Sequence, residues 1–213
     1  MISRVQAHLE AIYGITCAAR AEGFVVDTEA AVQLGASGRA DEELLVLAGE
    51  GELELALYLS PSLLRRLEPY ESGPVASLLE RELDGFCQLA EGVSHFVYVV
   101  HTAVHERTVS LLELEAQAEV DKFALCLLHR WGDGVGVWAE ELRRRLFDRV
   151  SYRERLTPTE RWRYEEANRL SRNFCSRLMR HVAGRRLERL LSDLRYAYRL
   201  GAEAKLRHFA QVS

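Results

Sequence analysis

The order of hydrophobic and polar residues predicts a few early strands followed by helices to the end of the chain. Leucine occupies every second position at 53–59 and so lies on one face, which is typical of a strand with one face on a core. A second hydrophobic run at 44–48 precedes it across the glycine-containing stretch 49–52, so the two runs predict a β-hairpin. The β-branched and aromatic run at 93–104 predicts a further, buried strand. Two shorter extended segments are predicted at 24–26 and 30–34.

Hydrophobic residues at helical spacing predict helices through the rest of the chain. Ser60, Ser110 and Thr157 each suit a helix N-cap. A proline follows Ser60 and Thr157 at the first helical position, and a glutamate stands three residues after Ser110 and Thr157, as in a capping box. The segment 75–90 has a clean amphipathic pattern, and Gly92 is expected to end its helix. The helices are predicted at about 3–21, 61–67, 75–90, 110–130, 137–150, 157–184 and 185–209.

These elements predict an α+β fold with four or five strands in a small, mostly antiparallel sheet packed by helices. An all-helical, basic C-terminal third is expected to follow the sheet. We expect an acidic α+β domain at 1–150 and a basic helical extension at 151–213 that packs on it.

The charges of the chain are unevenly distributed. Residues 1–142 hold 9 Lys and Arg against 24 Asp and Glu, a net charge of −15. Residues 143–213 hold 19 against 8, a net charge of +11, which together give the −4 of the whole chain. Such a division predicts either an electrostatic partner for one half or docking of the two halves on each other.

The chain lacks the features of a secreted or membrane protein. Its N-terminus has no uninterrupted apolar run of the signal-peptide type, and no stretch approaches the ~20 apolar residues needed to span a bilayer. The cysteines are scattered within apolar patterns and form no Cys-x-x-Cys pair, so we expect buried, reduced thiols. We therefore expect a cytoplasmic protein with no cofactor. The cysteines are Cys17, Cys87, Cys126 and Cys175.

The helix predicted at 110–130 carries the carboxylate candidates for acid–base catalysis. Glu115, Glu119 and Lys122 lie on one face, where neighbouring carboxylates could raise a pKa and Lys122 could modulate it. The preferred interpretation is a solvated acidic face that complements the helix dipole.

The histidines near the middle of the chain are the candidates for a metal site. On a strand, His101 and His105 would lie ~13 Å apart, too far to bind one zinc ion. On a helix they would share a face, and Glu119 or His129 could complete the site. The composition of the segment favours the strand, so no metal is expected. The glycines at 132, 134 and 136 are interpreted as a turn after a helix, because no strand precedes them and no lysine follows.

The arginine-rich last third is the main candidate for binding a partner. Clustered arginines interleaved with aromatic residues could neutralise phosphates and stack on bases, or could bind an acidic protein. The candidate binding residues are Arg143, Arg144, Arg145, Arg161, Arg163 and Arg172.

The sequence therefore favours a non-enzymatic interaction or regulatory protein, such as an adaptor or subunit of a bacterial complex, that binds a protein partner or a second copy of itself. The first alternative is a nucleic-acid-binding protein, which would use the same arginines. The second is a metal-dependent or acid–base enzyme with His101 and Glu119 in its site.

Overall fold

The computed structural model describes residues 1–38, 40–48, 53–150, 152 and 156–212, and it confirms an α+β fold. Its helices are α1 (Ile2–Tyr13), α2 (Thr28–Gln33), α3 (Pro61–Leu67), α4 (Val75–Arg81), α5 (Leu83–Val104), α6 (Leu111–Leu128), α7 (Val135–Arg143), α8 (Pro158–Ala183), α9 (Leu187–Arg199) and α10 (Ala202–Ala210). Its strands are β1 (Val25–Val26), β2 (Glu42–Ala48) and β3 (Leu53–Leu59).

The three strands form one small mixed sheet in the order β1-β3-β2. Strands β2 and β3 pair antiparallel, with Leu44 opposite Leu57, so the predicted hairpin is confirmed. Its predicted turn at 49–52 lies outside the described residues. The short strand β1 pairs parallel to β3. Both faces of β3 are covered near its end, because the adjacent side chains of Leu57 and Tyr58 are both buried.

The segment 93–104 is the last half of the helix α5, so the strand predicted there is wrong. The side chains from Val93 to Tyr98 are all buried, on every side of the helix. An apolar run of this kind shows no alternation of hydrophobic and polar residues, so its sequence does not distinguish a strand from a helix. The β-branched residues favoured a strand, but tertiary packing overrides that weak preference.

Gly92 lies inside α5 and does not end it. A Cβ atom at this position would lie 3.2 Å from the Leu57 side chain and 3.4 Å from the Cβ of Glu42. The glycine therefore allows α5 to pack closely on β2 and β3. A break in the amphipathic helix predicted at 75–90 occurs earlier, at Glu82, whose backbone leaves the helical conformation between α4 and α5.

Several other element boundaries differ from the predictions. The segment predicted as extended at 30–34 belongs mostly to α2, which Asp27 caps by accepting a hydrogen bond from the Ala30 N–H. The helix predicted from residue 3 to 21 ends at Tyr13, and the last predicted helix is two helices separated at Leu200 and Gly201. The helix predicted at 137–150 continues from α7 into a π-helical turn at Arg144–Asp148. The described residues therefore contain three sheet strands, where four or five were predicted.

Contacts along the chain divide it into two compact units. The first is Met1–Glu10 with Thr16–Val104, and the second is Ala11–Ile15 with His105–Ser213. Residues of the first unit hold 6 Lys and Arg against 16 Asp and Glu, a net charge of −10. Those of the second hold 22 against 16, a net charge of +6. We call these the acidic unit and the basic unit.

Each unit has its own buried core. In the acidic unit, a cluster of Ala31, Leu45, Ala56 and Tyr58 fills the space between α2 and the sheet. In the basic unit, α8 packs against α6, α7, α9 and α10. The Phe174 ring of α8 stacks on Phe209 of α10 at 4.6 Å between centroids. In the described part of the chain, no helix is both long enough and apolar enough to cross a membrane.

Candidate functional site

The helix α6 runs through the basic unit and carries polar side chains into its core. Ser110 caps it by accepting a hydrogen bond of 3.1 Å from the Glu113 N–H, as the sequence predicts. Glu113, Gln117 and Asp121 follow at intervals of four residues and so share one face. Each is at most 1 % exposed, and such burial is rare for charged residues such as Glu113 and Asp121.

These three residues join two others in a buried group that we call the Lys205 cluster: Tyr13, Glu113, Gln117, Asp121 and Lys205. The Lys205 Nζ donates to Gln117 Oε1 at 2.7 Å and lies 4.0 Å from Glu113 Oε1. The Gln117 Nε2 donates to Asp121 Oδ1 at 2.7 Å and to the Tyr13 hydroxyl at 3.1 Å. The Tyr13 hydroxyl in turn donates to Asp121 Oδ1. Gln117 therefore links the lysine to the aspartate.

Burial changes the acid–base properties of this cluster. Loss of hydration lowers the pKa of Lys205 from 10.5 to about 7, although the Glu113 and Asp121 carboxylates oppose the change. The Arg107 guanidinium adds a smaller lowering effect. Burial also raises the pKa of Tyr13 well above its usual value, and the Asp121 carboxylate raises it further. Near neutral pH, Lys205 is thus close to its point of half-protonation.

Neighbouring groups close the cluster off from solvent. The Tyr13 ring stacks on Tyr198 of α9 at 3.9 Å, and Lys205 Nζ lies 5.3 Å from the centre of the Tyr198 ring. Arg107 reaches Glu113 Oε1 at 3.5 Å and donates to the Leu200 carbonyl at 2.7 Å. Lys205 has no exposed surface. The hydrogen bonds of the cluster tie α6 to α1 and α10, and the ring contacts of Tyr198 add α9 to the group.

The predicted catalytic candidates lie on α6, outside this cluster. Glu119 accepts a hydrogen bond of 2.8 Å from Lys122, and Glu115 lies 3.7 Å from the Arg163 Nε. Glu115 and Lys122 are buried, at 9 % and 8 % exposure. The solvated acidic face predicted for this helix is therefore wrong. Most residues of α6 are buried, so the helix has no continuous solvated face on which such charges could lie.

The predicted metal candidates lie where α5 ends. His101 is half-buried in the last turn of α5, and His105 is exposed in the turn that follows Val104. His95, buried further back in α5, lies one turn from Glu91. Within the described residues, neither His101 nor His105 belongs to a group of three or more ligand-type side chains close enough to hold one ion.

Most of the predicted binding arginines are engaged in ion pairs inside the basic unit. Arg143 lies 2.7 Å from Glu140, Arg144 pairs with Glu141, and Arg172 lies 3.0 Å from Asp148. Arg161 is 3.9 Å from Glu165, and Arg163 approaches Glu115 as described above. Arg145 is exposed.

A different set of basic side chains is exposed on α9. Arg189, Ser192, Tyr196 and Arg199 recur at intervals of three or four residues, so they share one face. We call them the α9 stripe. Arg189 and Arg199 form no ion pair or hydrogen bond with any other described residue, and Tyr196 is 59 % exposed. The other side of α9 is buried through Leu190, Leu194, Ala197 and Tyr198.

The turn predicted at the three glycines is present at Gly132 and Gly134, whereas Gly136 belongs to α7. Gly134 has φ +76° and stands at the N-cap of α7, a left-handed conformation that glycine adopts without strain. Beside it, a surface depression is lined by Gly136, Val137, Glu140, Glu141 and Arg144.

Sequence reasoning missed the Lys205 cluster and did not single out the α9 stripe. The four-residue spacing of Glu113, Gln117 and Asp121 was a usable signal for the first, but Lys205 and Tyr13 come from distant parts of the chain. For the second, the spacing of Arg189, Tyr196 and Arg199 was visible among the other arginines. The sequence did not reveal that Arg189 and Arg199 form no ion pair with any other described residue.

Comparison with known proteins identifies no family for this chain. The chain matches no protein-family model, no curated protein and no solved structure at a significant level.

Proposed function

We propose that this chain is a non-enzymatic interaction or regulatory protein that binds an acidic partner through its basic unit. The observation that carries this proposal is that charge is divided along the same line as the fold. The acidic unit has a net charge of −10 and the basic unit +6, although the chain as a whole is at −4. A local excess of one charge attracts a partner of opposite charge whatever the net charge of the whole chain.

The positions of the individual arginines support the proposal. Arginines that serve the fold are bound to carboxylates or carbonyls: the Arg195 Nε, for example, donates to the Ile12 carbonyl at 2.8 Å. Within the described residues, Arg189 and Arg199 form no such bonds, so their guanidinium groups remain available to a partner.

The environment of the Lys205 cluster also agrees with a binding role. A lysine with a pKa near 7 is a common feature of catalytic sites. Here the cluster is sealed, and its groups bond mainly to one another, so they serve to hold four helices together. The four cysteines are buried and form no disulfide among the described residues, which fits a reducing compartment, and we propose that the protein acts in the cytoplasm.

The proposal is tested by retention of the full-length chain on immobilised heparin, a polyanion, at pH 7.5. At this pH the chain is above its pI of about 6.0 and carries net negative charge. We expect retention at low salt and elution as salt rises, because a local basic surface binds polyanions regardless of net charge. A chain that flows through at low salt would contradict the proposal. Variants with a glutamine in place of two arginines, as described below, locate the surface responsible.

A further inference from the structure

We propose that the α9 stripe binds a single-stranded nucleic acid, with Arg189 and Arg199 on phosphates and Tyr196 stacked on a base. This inference rests on the proposed function, since it names the class of partner and the surface of the basic unit that receives it.

The length of the stripe fits a short, stacked segment of a single strand. Arg189 and Arg199 are ten positions apart, so their backbones lie about 15 Å apart along the helix axis. That is the length of about four nucleotides at the ~3.4 Å rise of a stacked strand. Tyr196 and Ser192 lie between the two arginines on the same face. A cation at each end and an aromatic ring between them is the pattern that binds single strands without reading their sequence.

The Tyr196 ring is exposed and yet held in place. It packs edge-on against the His208 ring of α10 at 5.5 Å between centroids. His208 in turn lies 5.4 Å from the buried ring of Phe174. An exposed aromatic side chain that is already positioned loses little conformational entropy when a base stacks on it. Burial lowers the pKa of His208, and Arg177 lowers it further, so this supporting ring is neutral at pH 7.

The charges around the stripe favour a polyanion. Asp193 is on the same helix, but it is bound by Arg180 at 3.0 Å and by His181 at 2.8 Å. Burial alone would raise the pKa of Asp193, but the bonds from His181 and Arg180 outweigh it and lower the pKa, so the negative charge of Asp193 is offset by the Arg180 guanidinium. Glu188, at one edge of the stripe, is the acid that remains exposed there. Arg186, also exposed, precedes the helix and extends the positive surface, whereas the charge of Arg185 is offset by Asp133 at 3.1 Å.

A nucleic acid explains this surface better than an acidic peptide does. Both would satisfy Arg189 and Arg199, but every nucleotide also carries a flat ring on which Tyr196 can stack, whereas Asp and Glu side chains carry none. A peptide that binds through its acidic side chains would leave the tyrosine as an exposed aromatic group with no role. The comparison between these two partners is therefore part of the test.

The test is fluorescence anisotropy of the full-length chain with a short, labelled oligothymidylate, between about 50 and 200 mM salt. The double variant Arg189→Gln/Arg199→Gln is expected to weaken binding at least tenfold. It should also reduce the slope of log affinity against log salt by about 1.4, because each phosphate contact on a single strand contributes about 0.7. Tyr196→Ala is expected to weaken binding about fivefold or more with an unchanged slope.

A matched control removes the same charge elsewhere in the basic unit. Arg169 and Arg207 are exposed, and each pairs with a glutamate on its own helix. Arg169→Gln/Arg207→Gln should leave the affinity within about twofold of the parent. Equal losses in the stripe variant and in this control would overturn the assignment to α9.

A second probe, polyglutamate, separates the inference from the function on which it rests. Binding of polyglutamate alone, abolished in the stripe variant, would overturn the nucleic-acid inference and leave the proposed function standing. Binding of neither probe at low salt would overturn both. Oligothymidylate binding that Tyr196→Ala leaves unchanged would overturn the stacking role of the tyrosine.

Discussion

Lys205 is one of two lysines in a chain with 28 basic residues, and it is completely buried beside Glu113 and Gln117. Burial of an ammonium group is costly unless carboxylates and hydrogen-bond acceptors surround it. The cluster supplies both, and the pKa of Lys205 still falls to about 7. Its protonation therefore links the stability of the protein to pH.

The sign of this linkage follows from the lowered pKa. Between pH 7 and about 10.5 the unfolded chain holds a proton on this lysine that the folded chain has released, so raising the pH favours folding. We expect the free energy of unfolding to rise with pH above 7, by at most about 1.4 kcal/mol per pH unit. This gain should be absent from the Lys205→Met variant.

Urea unfolding of both proteins between pH 6 and 8.5 measures the effect. The difference between parent and variant isolates Lys205, because the raised pKa values of Cys17, Cys175 and Tyr13 act with the opposite sign in both proteins at higher pH. Parallel curves for the two proteins over this range would show that Lys205 keeps its ordinary pKa in the fold.

Helix α5 shows at the scale of elements what a sequence can and cannot predict. The hairpin and the N-caps at Ser60, Ser110 and Thr157 were predictable, since each depends on residues adjacent in sequence. At Thr157 the complete capping box is present. The conformation of 93–104 was not predictable, because its apolar residues serve either element and burial from every side decided between them.

Gly92 offers a direct test of how α5 meets the sheet. A leucine there would press on Leu57 and Glu42, where even a Cβ lies at 3.2 to 3.4 Å, and overpacking of this kind costs about 1–3 kcal/mol. We expect Gly92→Leu to lower the free energy of unfolding by about that amount, although leucine is the better helix former. Ala103→Leu, at an exposed position of the same helix, is the control and should be neutral or stabilising. Unfolding in urea followed by circular dichroism compares the two, and equal stability of both variants would contradict close packing at Gly92.

The candidate site shows the same limit of sequence reasoning. The arginines of the last third were recognisable as a group, but the carboxylate of Glu115, about 50 residues away, decides that Arg163 is engaged. Contacts between elements that are distant in sequence determine which arginines remain available to a partner. A local sequence pattern contains no information about those contacts. Arg189 and Arg199 can be recognised as candidate binding residues only when the arginines that form ion pairs in the structure are excluded.

At the scale of the whole molecule, the net positive charge and all the tryptophans lie in the same unit. Residues 105–213 carry the net charge of +6 and also all three tryptophans, Trp131, Trp138 and Trp162. Tryptophan emission therefore reports on the unfolding of the basic unit, the unit to which we assign binding. A ligand that binds only the folded form stabilises it by about 2.7 kcal/mol when present at 100 times its dissociation constant.

This division predicts a thermal shift that salt removes. In a chain of this size each kcal/mol raises the melting temperature by about 2–4 °C, so an excess of oligothymidylate should raise the tryptophan-detected midpoint by about 5–10 °C at low salt. The shift should vanish at high salt, where phosphate contacts weaken, and in the Arg189→Gln/Arg199→Gln variant. The Arg169→Gln/Arg207→Gln control should keep it. An oligonucleotide that binds in the anisotropy experiment and yet leaves this midpoint unchanged would contradict the assignment, since binding to the folded basic unit must stabilise it.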